Sequence, residues 1–311
     1  MREDHRAQIQ QMLVPPSGPI PFDAAAEHFL QWSRLEHRDH PNTARRHAVS
    51  MASLTHFFGR KSVERITPGE LEDFKTWRRG ADIKEVTIRH DLHALSRFFQ
   101  FGQRHGWCAQ NPVRLIDMPS DRASRNEKVI STDEEKRYFA AAKANVDLFD
   151  VGRLILLQGL RPDEVLSLKK AAVDLAEKTL TVVHSKSAAS RRTLNLTDES
   201  CRILGRRFPG EAIWCFPGKR PGRHLTYSGL VNAHNKSLEK SSTWFNLYSL
   251  RHTFATRFYK QTKDIEALRR ILGHADLKTL LRYVHIDQEQ IRAAMEQFEK
   301  SLKPLEGITI Q

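Results

Sequence analysis

Two segments decide how this chain is read: LYSLRHTFATRF at 247–258 and ILGHADLKTLLRYVH at 271–285. The first holds an Arg-His pair, Arg251-His252, two residues behind Ser249. A serine hydroxyl accepts a bond from an orphan backbone N–H, so Ser249 predicts a helix start, with Arg251 in the first turn and an end near Lys260. A helix start carries partial positive charge and free N–H groups, and so attracts phosphate. A guanidinium there adds a bidentate grip. A helix predicted over 264–272 runs into the second segment and is closed by Gly273, with His274 in the turn. A further helical run opened by Ala275 or Asp276 would carry Tyr283 about two turns on. Taken singly, each of these residues reads as a surface pair or a core filler. Their joint spacing carries the argument.

Upstream, the apolar run 146–158 breaks at Gly159 and is followed by Leu160-Arg161-Pro162-Asp163-Glu164. Proline suits the first helical position and the two acids suit the first turn. Arg161 therefore sits at or beside an N-cap, a second guanidinium at a helix start. Residues 172–175, 179–184 and 191–196 read as three short strands, with Leu180 and Val182 alternating with Thr181 and Val183. The turn between the last two carries Lys186. Helices are expected over 198–208 and 226–240, and over 288–302 with Ile291, Met295 and Phe298 on one apolar face.

Arg161 with Glu164, Lys186, Arg251 with His252, Gly273-His274 and Tyr283 stand in the order of the tyrosine recombinase (phage integrase) family, which this chain resembles over about residues 20–300. The resemblance implies a C-shaped DNA clamp, mainly α (α+β). A four-helix core-binding domain would precede a mostly helical catalytic domain with a small three-stranded antiparallel sheet. It also implies a chemistry these residues can perform. Tyr283 attacks a phosphodiester, forms a 3′-phosphotyrosyl link and releases a 5′-hydroxyl. Arg161, Arg251 and His274 stabilise the charge that builds on the phosphoryl oxygens. Lys186 protonates the leaving oxygen. A free phenol ionises near pH ~10, so the nucleophile must lose its proton during attack. The link stores the bond energy, so no metal and no cofactor is expected.

One position departs from the family pattern, which has His where this chain has Tyr248. A phenol can donate a hydrogen bond to phosphate but is not a base near neutral pH. Tyr248 is still placed in the activating position. His252 points about 100° round the helix from Arg251 and so is no obvious substitute; the resemblance implies a structural role for it. The alternative is a catalytically weakened or inactive DNA-binding protein on the same fold.

Composition fits a polyanionic partner. The 311 residues hold 50 Lys and Arg against 37 Asp and Glu, a net charge of +13. Double-stranded DNA is the expected partner, with copies of this chain assembling on it as a tetramer in the family's synapse. Cys108, Cys201 and Cys215 are far apart and without C-x-x-C spacing, which suits a reducing cytoplasm and no structural zinc. His252, His274 and His285 lack a metal-ligand spacing. No run of 18 apolar residues exists to span a membrane.

The domain plan read from the chain is a leader over 1–20, a helical DNA-binding domain over 21–114 and a linker over 115–130. The catalytic domain follows over 131–303 and a tail over 304–311. Within the first domain, helices are expected over 22–35, from a cap at Asn42 or Thr43 to Phe58, from the Thr67-Pro68-Gly69-Glu70 capping box to Arg79, and over 84–105. In the last of these Ile88, Leu92, Leu95 and Phe99 share one face. Arg45, Arg46, Lys84, Thr87 and Arg89 are the candidates for contact with DNA. The size is nearer to Xer-like or simple mobile-element recombinases than to phage integrases with an extra arm-binding domain.

Overall fold

The structure, a computed structural model, describes residues 19–120, 128–183, 191–274, 276, 277, 280, 283, 292, 295, 296 and 298–300. Internal contacts divide the chain into two units, Met1–Asn126 and Glu127–Gln311.

The first unit is helical: α1 (Phe22–Glu36), α2 (Pro41–Phe58), α3 (Pro68–Gly80) and α4 (Glu85–Arg104). The stripe predicted on α4 is fully buried at Ile88, Leu92 and Leu95, with Phe99 1% exposed, and Phe98 and Phe101 widen it. Each such side chain contributes about 1.5–3 kcal/mol over leaving it in water. On α1 the apolar face is Phe22, Ala25, Ala26 and Phe29. Phe22 lies against Phe58 and Phe98, with ring centroids 5.2 and 4.7 Å away. The Thr67–Glu70 capping box opens α3 as read. The start of α2 differs: His40 is the cap and Pro41 the first residue. The fixed φ of proline suits that position, while the Asn42 side chain instead accepts from Arg45 at 2.9 Å.

The segment 115–130, read as an interdomain linker, is docked at both ends. Ile116 and Met118 pack on the first core. The Asp117 and Pro119 carbonyls take hydrogen bonds from Lys75 (3.0 Å) and Arg89 (2.8 Å). Ile130, 1% exposed, belongs to the second core. Its N–H donates to Thr253 at 3.0 Å. Polar composition hid three apolar anchors spaced too irregularly to show a period.

The second unit runs α5 (Thr132–Ala142), α6 (Val146–Gln158), α7 (Pro162–Leu166), β1 (Val173–Asp174), β2 (Thr179–Val182), β3 (Arg192–Asn195), α8 (Asp198–Gly205), α9 (Tyr227–Ser241), α10 (Leu247–Thr262) and α11 (Ile265–Leu272). The sheet is antiparallel in the order β1-β2-β3, with Leu180 opposite Val173 and Leu194. Those three side chains face the core, while Thr181 and Thr193 bond each other at 3.0 Å on the other face. Helix α6 is the central element. Leu148, Val151, Leu154 and Ile155 are fully buried, and it packs against α5, α8, α9 and α10. A second layer joins α9 to α5 through Tyr138, whose hydroxyl meets His234 Nδ1 at 2.7 Å while Phe245 closes over the ring.

The start of α10 also differs from expectation. Asn246 is the cap, its side chain accepting from the Ser249 N–H at 3.0 Å. Ser249 is therefore inside the first turn and Arg251 lies in the second, not at the free N–H groups. Asn and Ser cap about equally well, so local chemistry alone did not choose between them. Residues 184–190, most of 275–291 and 301–311 lie outside the described residues, and with them Lys186, Ile291 and the tail. Met295 and Phe298 are exposed at 61% and 58%, so the apolar face expected for that helix is not buried at those two positions.

Candidate active site

The site is built where α6, α7, α10 and α11 end or begin. Helix α6 stops at Gly159 in the left-handed conformation, φ +62°. A Cβ there would lie 2.5 Å from the Phe254 ring, so only glycine fits both the turn and the space. The chain then enters α7 with Arg161 as its cap residue. Glu164 folds back: Oε2 accepts from the Arg161 backbone N–H at 2.9 Å and Oε1 from its guanidinium at 2.7 Å.

Glu164 is the hub of the site. Its side chain is 6% exposed and also takes both terminal nitrogens of Arg192, at 3.1 and 2.8 Å. Arg251 Nη1 lies 3.8 Å from its Oε2. Burial opposes its ionisation, but Arg192 and Arg161 outweigh that and hold the carboxyl below its usual range. Burial also acts against the charge on Arg161, where Glu164 and the neighbouring Tyr248 phenol prevail and raise its pKa. Three guanidiniums from three elements thus share one carboxylate. The excess positive charge suits a phosphate.

Arg251 is 2% exposed. It donates to the carbonyls of Gly159 (2.6 Å) and Leu272 (2.7 Å), joining the ends of α6 and α11. Burial, then repulsion from Arg161, lowers its pKa to about 10, which leaves it charged at neutral pH. The carbonyls at the end of α11 have no partner within the helix, and a cation there is doubly favoured. Arg192 takes the Ile271 carbonyl at 2.5 Å. Gly273, at φ +65°, then turns the chain, and His274 Nε2 accepts from Arg251 at 3.2 Å.

His252 lies on the neighbouring side of α10. Its Nδ1 is 2.6 Å from the Tyr283 hydroxyl. Tyr283 is 7% exposed and sits on Ala255, Leu268, Leu272 and Leu280. Tyr248, one turn before His252, has its ring centroid 5.6 Å from the imidazole and is 41% exposed.

Of the residues expected at the site, Arg161, Tyr248, Arg251 and His274 come together, and Tyr283 joins them through His252. Lys186 lies outside the described residues. Arg192 was not among the expected residues, Glu164 was noted only as part of a motif, and His252 was expected to be structural. The reading of His252 as no substitute set its direction against Arg251 and took its structural role from the family resemblance. Its four-residue spacing from Tyr248 was the available signal, because that spacing puts two side chains on one helix face. In the first unit Arg45, Arg46 and Thr87 line one groove with His90 and Asp91. Lys84 caps α4, whereas Arg89 is turned to the Pro119 carbonyl. At that groove burial raises the Asp91 pKa against the bonds from Ser50, Arg78 and Ser53, and Arg78 reaches it at 2.8 Å.

The phage integrase family model matches residues 128–290, more than half of the chain. The chain belongs to the phage integrase family. Residues 26–106 match the phage integrase N-terminal SAM-like domain. Among curated relatives, tyrosine recombinase XerC of Bacillus licheniformis is 26% identical over 253 residues, 76% of this chain and 82% of that one. Tyrosine recombinase XerD of Ralstonia nicotianae is 24% identical over 75% of this chain and 79% of its own. The Tn1549 transposon integrase, solved with a circular intermediate DNA, superposes with a TM-score of 0.74 at 16% identity, covering 90% of this integrase and 99% of that chain. A lambda integrase dimer bound to a core site gives 0.71 at 14% identity, covering 91% and 83%. At such identities the two superpositions speak for the fold.

Proposed function

We propose that this integrase, a site-specific tyrosine recombinase, cuts and rejoins DNA strands through a covalent 3′-phosphotyrosyl intermediate on Tyr283. The observation that carries the reading is the meeting of Arg161 and Arg251 at Glu164, with His274 bonded to Arg251 and the Tyr283 hydroxyl held by the residue next to Arg251. The scissile phosphate sits against the guanidiniums. Tyr283 attacks phosphorus, and the bond to the 5′-oxygen breaks. Lys186 protonates that oxygen. Arg161 and Arg251 are fixed before substrate arrives, so their stabilisation of the growing charge needs little reorganisation. The 5′-hydroxyl of a partner strand then reverses the sequence and frees the tyrosine.

Double-stranded DNA is the substrate, held through phosphates, with base reading assigned to the groove of Arg45, Arg46 and Thr87 and to Lys84 at the start of α4. Copies of the chain pair on each site and four assemble to exchange strands, as a dimer on a core site is known for the lambda integrase. Cys108, Cys201 and Cys215 are free thiols, in keeping with work in the cytoplasm, where the DNA is. Among the described residues no helix is long and apolar enough to cross a membrane.

Covalent capture in cells tests the reading. Tagged protein is recovered under denaturing conditions and its attached DNA is sequenced. DNA is expected on the wild type, none on Tyr283→Phe, and at least part of it on Tyr248→Phe. Absence of any adduct, in cells and on nicked duplexes that trap cleavage, would favour a DNA-binding protein without strand transfer, with Tyr248 as the reason.

A further inference from the structure

We propose that His252 is the general base for Tyr283, replacing the histidine that the family carries where this chain has Tyr248. The inference rests on the phosphotyrosyl reading above and adds the route of the proton.

The geometry comes first. A general base must lie within about 2.6–3.2 Å of the atom whose proton it takes. His252 Nδ1 lies 2.6 Å from the Tyr283 hydroxyl. His274 is committed elsewhere: its Nε2 accepts from Arg251, and its carbonyl from Arg269 at 3.1 Å. Tyr248 brings a phenol to the Arg161 side of the site. A phenol donates to anions but is no base at neutral pH, whereas an imidazole is.

Placement on the helix follows. Tyr248 and His252 are one turn apart on α10, and their rings are 5.6 Å apart. The basic group has thus moved one turn along the same face, and the hydroxyl it serves has a fixed seat. Tyr283 packs on Leu268 and Leu272 of α11, which Arg192 and Arg251 tie to the site.

The step balances as follows. His252 begins neutral, with its proton on Nε2 and a lone pair on Nδ1. The Tyr283 O–H proton passes to Nδ1 as the phenolic oxygen bonds phosphorus. The P–O5′ bond breaks and the 5′-oxygen takes a proton from Lys186. On rejoining, the imidazolium returns its proton to the departing phenolate.

Two measurements test the inference. The first needs no substrate. Nitrogen NMR of the wild-type histidine rings, with His252 assigned through His252→Asn or His252→Gln, reports which ring nitrogen is protonated. An unprotonated Nδ1 that loses its hydrogen bond in Tyr283→Phe is expected. A proton resident on Nδ1 would overturn the proposal, because the tyrosine would then be the acceptor. The second is single-turnover adduct formation on a nicked duplex carrying the captured sequence, with a sulfur replacing the 5′-bridging oxygen. That leaving group needs no acid, so loss of Lys186 is rescued while loss of the base is not. His252→Asn, binding this duplex with wild-type affinity, should slow the adduct by about 10²–10⁴-fold. A difluorotyrosine at position 283, a more acidic phenol, should recover part of that loss. A wild-type rate in His252→Asn, or a slow rate that the acidic phenol leaves unchanged, would refute the base. If the wild type itself forms no adduct, the phosphotyrosyl reading fails instead.

Discussion

His234 shows how a side chain with no assigned part in the chemistry sets the conditions in which the second unit stands. Its Nδ1 meets the Tyr138 hydroxyl at 2.7 Å and its Nε2 the Phe245 carbonyl at 3.0 Å. A carbonyl only accepts, so Nε2 carries the proton and Nδ1 receives the phenol. Burial holds this imidazole below its ordinary value of 6.5, against a smaller opposing pull from Phe245. His47 in the first unit is lowered too, by burial and then by His37 and Arg97. A depressed folded pKa gives stability that is whole above the ordinary value and lost as pH falls through the folded one. Urea midpoints measured from pH 7.5 down to 5 should therefore fall below about pH 6.5. The fall should shrink in His234→Gln, whose amide does not titrate. A fall of unchanged size in that variant would remove His234 from the account.

Among the elements, the α6–α7 turn is the joint on which the site depends. Gly159 lets α6 end, offers its carbonyl to Arg251 and leaves room for Phe254. In Gly159→Ala the left-handed backbone costs about 1–2 kcal/mol. Displacing the ring costs about 1–3 kcal/mol more. Thermal unfolding should show that loss, and adduct formation should fall with it, because Arg161 and Arg251 are both hung from this turn. An alanine variant as stable as the wild type would mean that the turn relaxes freely.

The turn was legible in the amino-acid sequence because glycine, proline and two acids each have a local reason to be there. The helix and strand order was legible for the same reason. The cap of α10 was not, since Asn246 and Ser249 compete on equal local terms and packing decides. Nor was the place of Arg192. A strand-edge arginine reads as solvated until the end of α11 and Glu164 are brought against it by the fold. His252 was hidden for a related reason: Tyr283 is 31 residues away and only tertiary structure brings it near.

For the whole molecule, excess charge sets how DNA is met. With a net charge of +13, encounter should be fast and strongly salt-dependent. Each phosphate neutralised adds about −0.9 to the slope of log affinity against log salt. Arg45→Ala and Arg46→Ala should each reduce that slope by about one if they contact phosphate. A base contact would instead relax sequence preference and leave the slope nearly unchanged. Titrations at several salt concentrations, on captured and scrambled duplexes, separate the two.

The burial of Arg251 has a use outside catalysis. A guanidinium whose amino groups are tied to two carbonyls and shut away from water exchanges its protons slowly, unlike those of solvent-facing arginines. Its side-chain N–H signals should stand out sharply in a spectrum of the DNA-free protein. Phosphate arriving at the site must pull on the same group, so those signals should move first. The protein thus carries its own label for occupancy, readable without dye, tag or cleavage.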